Sequence, residues 1–545
     1  TDILKEVKEQ KSGITQQEEV AIIFDTILTR GQKVVEEMEQ YLINMEREIV
    51  AGQIERNRNQ AIFECKRTLA LWKNDYGQLL SVVEGVTGRE QEMSEECACY
   101  FRIYENKYIG YIDYIGCCNR KWLVTVIVNS KFVKRVIYLV FCAFSGAVIS
   151  SIVWLFLKIM EIGIGFIWEF LPGKIDSPFY TPIVCLIGGL LVGVYQYKTG
   201  ASPDELENVI SKVKSEKFYP YNNVLVVCGA ALLPLLFGGS IGPEAGLTGV
   251  IVGLCYWAGN SFKFAKEKLT DVVHIGVVST LSVIFGTPLF GLVMPVEEKT
   301  DSGKNTVLPR IPKIVSIAVA LLSSLTVFWV LTHFFGGGMS FQSFGEVTIT
   351  NNERLFGVLV IIIGIVFGYL FILFQKISSV FFEKLRQKTN IIFTALLGGV
   401  LLGLLGEYLP LTMFSGEKQI EILYESYKDY APWLLILIGT AKLFITNVCI
   451  KSGWKGGHFF PVIFSGVSIG YGVAMLIGIN PVFCLGVLTA GMMGVLMRKP
   501  VAVSLLLMLC FPVRVFPWLL AAAFLGSIVP LANNKKKTEG KNEKL

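Results

Sequence analysis

Charged residues are scarce in this chain, and they are not grouped as many functions require. Asp, Glu, Lys and Arg make up 17% of the 545 residues, whereas 52% are hydrophobic. The net charge is +6, but the basic residues are scattered over loops and a basic tail, which does not indicate a nucleic-acid surface. Within the apolar segments, no cluster of His, Asp, Glu or Cys has catalytic or metal-ligand spacing. We therefore predict no enzyme, no metal site and no cofactor.

The apolar residues form long runs. From about residue 136 onward, the chain passes through successive apolar stretches of roughly 17 residues or more, the length at which a helix crosses hydrocarbon. These runs predict an all-α, polytopic integral membrane protein of the cell membrane, surrounded by the lipid bilayer. No apolar signal segment opens the sequence, and a basic tail favours the cytosol, so we expect both termini to be cytoplasmic.

The first 130 residues have a different character. They are rich in Glu, Lys, Arg, Gln, Leu and Ile, and apolar residues such as Val35, Met38, Leu42 and Met45 recur at helical spacing. This pattern predicts a soluble helical region. Two interpretations remain open for it: an amphipathic bundle with no chemistry of its own, or a regulatory or partner-binding region.

Two short segments with the pattern Gly-x-x-x-Pro stand out among the apolar runs. One extends from Gly239 to Pro243 and the other from Gly457 to Pro461, and each leads into a long apolar stretch. Glycine lets backbone N–H groups approach a ligand, and proline suits the first turn of a helix. A helix that starts inside the membrane presents unpaired N–H groups, which hold an anion without a fixed positive charge.

These segments belong to an internal repeat. The run Gly188-Gly189-x-x-x-Gly193 recurs 210 residues later, from Gly398 to Gly403, and the Gly-x-x-x-Pro segments are 218 residues apart. We predict a duplication; if each copy crosses the membrane an odd number of times, the copies are inverted and broken helix ends meet near the midplane. The alternative is that glycine recurs because small residues favour helix packing. The predicted divisions are 1–130, a first repeat 131–336, a second repeat 337–532 and a basic cytoplasmic tail 533–545.

Three segments, in this order, resemble the CLC family of chloride channels and proton-coupled chloride transporters. Gly239–Pro243 is similar to the family's G-x-E-G-P, Thr287–Glu298 to its A-P-L-x-G-x…E-E, and Lys451–Pro461 to its S-x-G-x-x-G-G-x-F-x-P. The resemblance covers about residues 135–532. It implies a CLC-type inverted repeat of broken and tilted helices that transports chloride or a similar small anion. It also implies a homodimer with one pathway per subunit.

The resemblance further implies which residues form the pathway. Backbone amides of Ser240, Ile241 and Gly242 would bind the anion from one side, and those of His458 and Phe459 from the other. At the position of Ile241 the family has a gating glutamate, which competes with the anion and passes protons in coupled members. Isoleucine can do neither. We therefore predict passive, channel-type conduction.

Two acids keep a second function open, a chloride or fluoride/proton antiporter. Glu244 lies three residues after the gate position, although helical geometry would point it back along its helix. Glu298 matches the family's internal proton glutamate, but with Glu297 it also fits a solvated acidic helix end. The family's serine ligand has its nearest counterparts in Thr199 and Ser202, either of which would need a local shift.

Two further expectations concern regulation. His458 could gain a proton when an anion binds, which would make the flux depend on pH, or it could be a neutral packed imidazole. The family's tyrosine ligand has no counterpart after Tyr471, so the inner gate should be more open or differently built. A hypothesis of another class is a membrane scaffold that carries an N-terminal sensor or binding module.

Overall fold

The computed structural model describes residues 58–87, 131–174, 177, 179–204, 208–209, 224–261, 269–297, 311–338 and 342–529, together with scattered helical positions between 19 and 113. The chain divides into two compact units, Thr1–Tyr138 and Leu139–Leu545. In the first unit, the longest described element is helix α1, Arg58–Thr87. The division predicted at residue 130 and the limits of the two repeats remain predictions.

The described part of the second unit is helical, without a β-strand. Its first half contains α2 (Lys131–Gly165, which begins before the unit boundary and continues as a π-helical turn, Phe166–Phe170), α3 (Tyr180–Thr199), α4 (Val224–Leu236), α5 (Glu244–Ser261), α6 (Leu269–Phe285), α7 (Pro288–Glu297) and α8 (Ile311–Phe335). Its second half contains α9 (Asn351–Lys388), α10 (Ile391–Tyr408), α11 (Glu417–Ser426), α12 (Pro432–Ser452), α13 (Phe459–Ile477), α14 (Pro481–Met497), α15 (Pro500–Leu507) and α16 (Phe516–Ile528).

Several of these helices begin and end where the sequence favours it. Asn390 precedes α10 and its side chain accepts the N–H of Phe393 at 3.0 Å, which satisfies one of the free amides of the first turn. Pro432 opens α12, where a missing N–H costs nothing. At its other end, α13 stops at Gly478, whose φ of 73° favours glycine.

Seven helices in the described residues are long and apolar enough to cross a membrane, judged by length and composition. They are Val136–Phe170, Tyr180–Thr199, Ile314–Phe335, Asn351–Lys388, Ile391–Tyr408, Pro432–Ser452 and Phe459–Ile477. Shorter apolar helices, α5 among them, lie between these spans. The prediction of an all-α polytopic membrane protein is therefore confirmed.

The repeated glycines lie where α3 and α10 cross. A Cβ on Gly189 would come within 2.7 Å of the Ala395 carbonyl oxygen, and one on Gly193 within 2.6 Å of the Ile392 Cα. Reciprocally, Gly399 abuts the Cys185 carbonyl. Partner numbers fall along α10 as they rise along α3, so the helices run antiparallel. Equivalent glycines of the two copies thus let the two helices pack backbone against backbone.

Trp454 is buried beside this crossing and joins it to both Gly-x-x-x-Pro segments. Its Nε1 donates to the Ala395 carbonyl at 2.8 Å, and the side chain is fully buried. Cβ atoms on Gly188, Gly239 or Gly399 would each lie within about 3.1 Å of its ring. The loop before α13 is therefore held against glycines from both halves of the unit.

Candidate functional site

The two Gly-x-x-x-Pro segments meet in the folded chain. The N–H of Gly242 donates to the Gly457 carbonyl and the N–H of Gly457 donates to the Gly242 carbonyl, both at 2.8 Å. These two bonds form an isolated antiparallel bridge just before α5 and α13. Both glycines are buried. The structure thus brings the starts of two helices, one from each half of the chain, to a single junction.

The bridge also changes which amides are available there. The N–H of Gly242 is engaged by the Gly457 carbonyl, and the N–H of Ile241 donates to the Gly239 carbonyl at 2.8 Å. Both amides were predicted to bind an anion, and in this structure neither is offered to one. Neither amide is available because both already donate to a backbone carbonyl: Gly242 to the other segment, and Ile241 to its own.

Glu244 supplies a hydrogen-bond acceptor at the junction. Its Oε1 accepts the N–H of Phe459 at 2.9 Å, at the start of α13, and its side chain is 1% exposed. The carboxyl group lies between the bridging glycines, since a Cβ on either Gly242 or Gly457 would collide with it. A carboxylate at a helix start takes the place of a free anion. Of the amides predicted to bind an anion, the structure places that of Phe459 against one.

The expectation that Glu244 points back along its own helix is wrong. It assumed a helix that begins at the motif, but α5 begins at Glu244 itself, and residues 239–243 are not helical. The side chain therefore leaves the first residue of α5 and reaches across to the opposite half. Its Oε2 has no hydrogen-bond partner among the described residues. A buried, unpaired carboxylate oxygen is costly and favours protonation.

Two hydroxyl groups face each other beside the junction. The Oγ atom of Ser240 lies 3.1 Å from Oγ1 of Thr446, and both residues are buried. Ser240 was predicted to contribute its backbone amide, whereas its side chain makes this contact with α12. Thr446 was not predicted, because no local motif marks it.

Lys442 is a fully buried cation one helical turn before Thr446. Its Nζ donates to the carbonyls of Met413 at 2.7 Å and Phe414 at 2.9 Å, with a longer contact to Leu411 at 3.5 Å. These carbonyls take up its donors without a carboxylate. Lys442 is the single charged residue in the apolar run 432–450, and an ionisable residue in a span is a signal of function that the sequence already carried.

Glu417 is a second acid near the junction. It opens α11, which is not among the candidate membrane spans. The residue is half-buried, but its Oε1 is buried and has no hydrogen-bond partner in the described part of the chain. Burial raises the pKa of Glu417 to about 8, repulsion from Glu244 acts in the same direction, and a hydrogen bond with Ser415 and the charges of Lys442 and Lys418 oppose them.

The remaining predicted ligands lie elsewhere or serve other roles. Thr199 ends α3, where its hydroxyl donates to the Tyr195 carbonyl at 2.7 Å and accepts the N–H of Ala201 at 3.2 Å. Ser202 is exposed. The structure does not bring either hydroxyl to the junction, because Thr199 caps its own helix end. His458 directly precedes α13 and its ring packs 5.6 Å from that of Phe371.

The acidic pair at the end of α7 is only partly described. Glu298 lies outside the described residues. The carboxylate of Glu297 accepts the N–H groups of Val501 at 3.2 Å and Ala502 at 2.8 Å. It therefore caps the start of α15 rather than being a freely solvated helix end.

Comparison with known proteins relates the chain to one protein family and to individual bacterial proteins. Residues 183–530 match the family described as voltage gated chloride channel. YfeO of Escherichia coli O17:K52:H18 is 26% identical over 338 residues, which are 60% of this chain and 76% of YfeO. YfeO of Salmonella paratyphi A is 26% identical over 339 residues, 60% of this chain and 77% of the relative. The names of both relatives assign them to ion transport only provisionally.

Solved structures share the fold. A CLC-type fluoride/proton antiporter superposes with a TM-score of 0.57 at 18% identity, over 73% of this chain and 96% of that one. A slow cyanobacterial Cl⁻/H⁺ antiporter superposes with a TM-score of 0.61 at 16% identity, over 72% of this chain and 94% of that one. At these identities the likeness concerns the fold alone, and it agrees with the predicted CLC-type architecture.

Proposed function

The chain belongs to the voltage gated chloride channel family, and from this premise we propose that it carries a small inorganic anion across a membrane in exchange for protons. The observation that supports exchange is the contact between Oε1 of Glu244 and the N–H of Phe459 at the helix junction. This was the second of the functions predicted from the sequence. It is favoured here over passive conduction because an acid accepts the N–H of Phe459, one of the amides predicted to bind the anion.

The exchange follows from competition for one amide. An anion reaches the N–H of Phe459 only when the carboxylate of Glu244 leaves it. A carboxylate that loses this partner inside a buried site becomes more costly as a charge, and a proton relieves that cost. Anion entry and protonation of Glu244 therefore accompany each other. When the anion leaves, the acid releases its proton to water on the side of the membrane opposite to the one it came from, and returns to the amide.

A second candidate function, passive conduction, is favoured by Ile241. This fully buried side chain stands at the family's gate position and cannot titrate. It packs tightly against the second segment, since a Cβ on Gly456 would lie 2.6 Å from its Cδ1. If Glu244 stayed fixed as a structural cap, or moved without a proton, anions would pass uncoupled.

The two functions are separated by measuring chloride and protons on the same vesicles. Proteoliposomes loaded with high chloride are diluted into low-chloride buffer, with equal pH on both sides and the potential clamped at zero by valinomycin and potassium. Under exchange, chloride efflux drives proton uptake. In the Glu244→Gln variant, proton uptake should fall by about 10²-fold or more, because glutamine cannot titrate, while chloride efflux continues.

The exposed Glu421 on α11 offers a matched control, and Glu421→Gln should behave as wild type. Chloride efflux from wild-type vesicles without proton uptake would reject exchange and leave passive conduction. Repeating the assay with fluoride tests which anion is carried. The homodimer, which the family resemblance implies, and the cytoplasmic position of both termini, which the charge pattern of the sequence favours, belong to the proposal as expectations.

A further inference from the structure

A second acid and a cation surround the junction and have no role in the exchange described so far. Glu417 is within electrostatic reach of both Glu244 and Lys442. One carboxylate oxygen of each acid, Oε1 of Glu417 and Oε2 of Glu244, is buried without a hydrogen-bond partner among the described residues. Native structures rarely leave such atoms unpaired unless a proton, water or ion joins them during function.

Glu417 also lines a cavity. The other walls are mainly apolar, among them Phe344, Ile463 and Phe511, with Gln342 and Cys510 as polar neighbours. Glu417 is the one carboxylate among these lining residues. An unpaired acceptor at the wall of a cavity is suited to hold a water molecule or to receive a proton from one.

The local charges indicate how many protons the cluster holds. When all three groups are ionised, Lys442 brings one positive charge and Glu244 and Glu417 bring two negative charges. A buried cluster is least costly when it is neutral, which requires one proton shared between the two acids. The pair therefore exists most readily with one acid ionised at the amide of Phe459 and the other protonated.

We propose that Glu417 carries protons between this cavity and Glu244, and that Lys442 keeps the two acids at one shared negative charge. The inference rests on the proposed function. When an anion takes the N–H of Phe459, Glu417 gives its proton to the carboxylate of Glu244, so one O–H bond breaks as another forms. Glu417 then regains a proton from the aqueous phase, passed on by water in the cavity. One proton moves for each exchange of the acid with an anion, and no other reactant is needed.

The pH dependence provides a signature of this route. The pKa of Glu417 is raised to about 8 by burial and by Glu244, against the effects of Lys442 and Lys418. Cys510 lines the same cavity. Above this pKa fewer chains hold the proton on Glu417, so proton flux should fall as the pH rises through about 8. Anion flux should fall less, because anions still pass uncoupled whenever Glu244 leaves the N–H of Phe459 without receiving a proton.

The test compares Glu417→Gln and Glu417→Asp with wild type in full-length protein, using the assay of chloride and proton flux. Glutamine should lower proton flux by at least about tenfold and leave chloride flux within about twofold. Aspartate, which keeps a titratable acid, should retain proton flux and its decline with pH. Glu421→Gln, on the same helix and exposed, serves as the control.

The outcomes are distinct. An unchanged ratio of protons to chloride in Glu417→Gln would overturn the inference and leave the proposed exchange through Glu244 intact. Loss of both fluxes in the same proportion would assign Glu417 to folding and would also overturn it. Wild-type protein that moves chloride without protons would instead reject the proposed function itself.

Discussion

The two helix openings share one sequence pattern but contribute different groups. In the first, the residue after the proline is Glu244, and in the second it is Val462, which is fully buried. The first opening supplies an acid and the second supplies the amide of Phe459 that the acid binds. A duplicated pattern can therefore bring two helix starts together even though each copy contributes a different chemical group.

The openings also differ in where their helices begin. Helix α13 starts two residues before Pro461, whereas α5 starts one residue after Pro243. The bridge reflects this offset, because it joins the fourth residue of the first motif, Gly242, to the first residue of the second, Gly457. The junction is therefore asymmetric, because the acid that opens α5 accepts the N–H of the residue that opens α13.

The largest loss of stability at the junction should follow from replacing Lys442. Replacing Lys442 by methionine removes the charge that balances the acids and leaves the carbonyls of Met413 and Phe414 without a donor. We expect a loss of about 3–5 kcal/mol in the free energy of unfolding, measured in detergent. Lys442→Arg keeps the charge and should cost less. Equal stability of Lys442→Met and wild type would show that Lys442, in the second half, does not balance the charge of Glu244, in the first half.

A smaller effect is expected from a methyl group at the bridge. In Gly457→Ala the new Cβ would collide with the carboxyl group of Glu244 and push it away from Phe459. The cost should be about 1–3 kcal/mol, and proton flux should fall while chloride flux remains. Gly345→Ala is the control, because a Cβ there meets nothing within 4 Å. Unaltered coupling in Gly457→Ala would mean that the carboxylate does not need this position.

The smallest effect should follow from removing a hydroxyl contact between the halves. Thr446→Val leaves Oγ of Ser240 without this partner and should cost about 1 kcal/mol of unfolding free energy. In the wild type, the hydroxyl of Thr440 donates to the Ile436 carbonyl of its own helix, so Thr440→Val should cost less. If the two variants lose equal stability, the contact of Thr446 with Ser240 stabilises the protein no more than a hydrogen bond within one helix does.

The sequence was sufficient for the fold and for the meeting of the two openings, because the glycine repeat and the two Gly-x-x-x-Pro segments are local patterns. The direction of the Glu244 side chain was predicted wrongly from the sequence. The start of α5 depends on the bridge between Gly242 and Gly457, which are far apart in the chain. Lys442 was visible as an isolated charge in an apolar run. Glu417 was not, because its significance comes from neighbours on other helices.

The bridge between Gly242 and Gly457 has a mechanical consequence. Two backbone hydrogen bonds join the halves at the junction where the proposed pathway lies, and the indole of Trp454 packs against glycines of both halves. Rocking one half against the other would break these ties on every cycle. The proposed exchange requires only the carboxyl group of Glu244 to move, which would leave both ties in place.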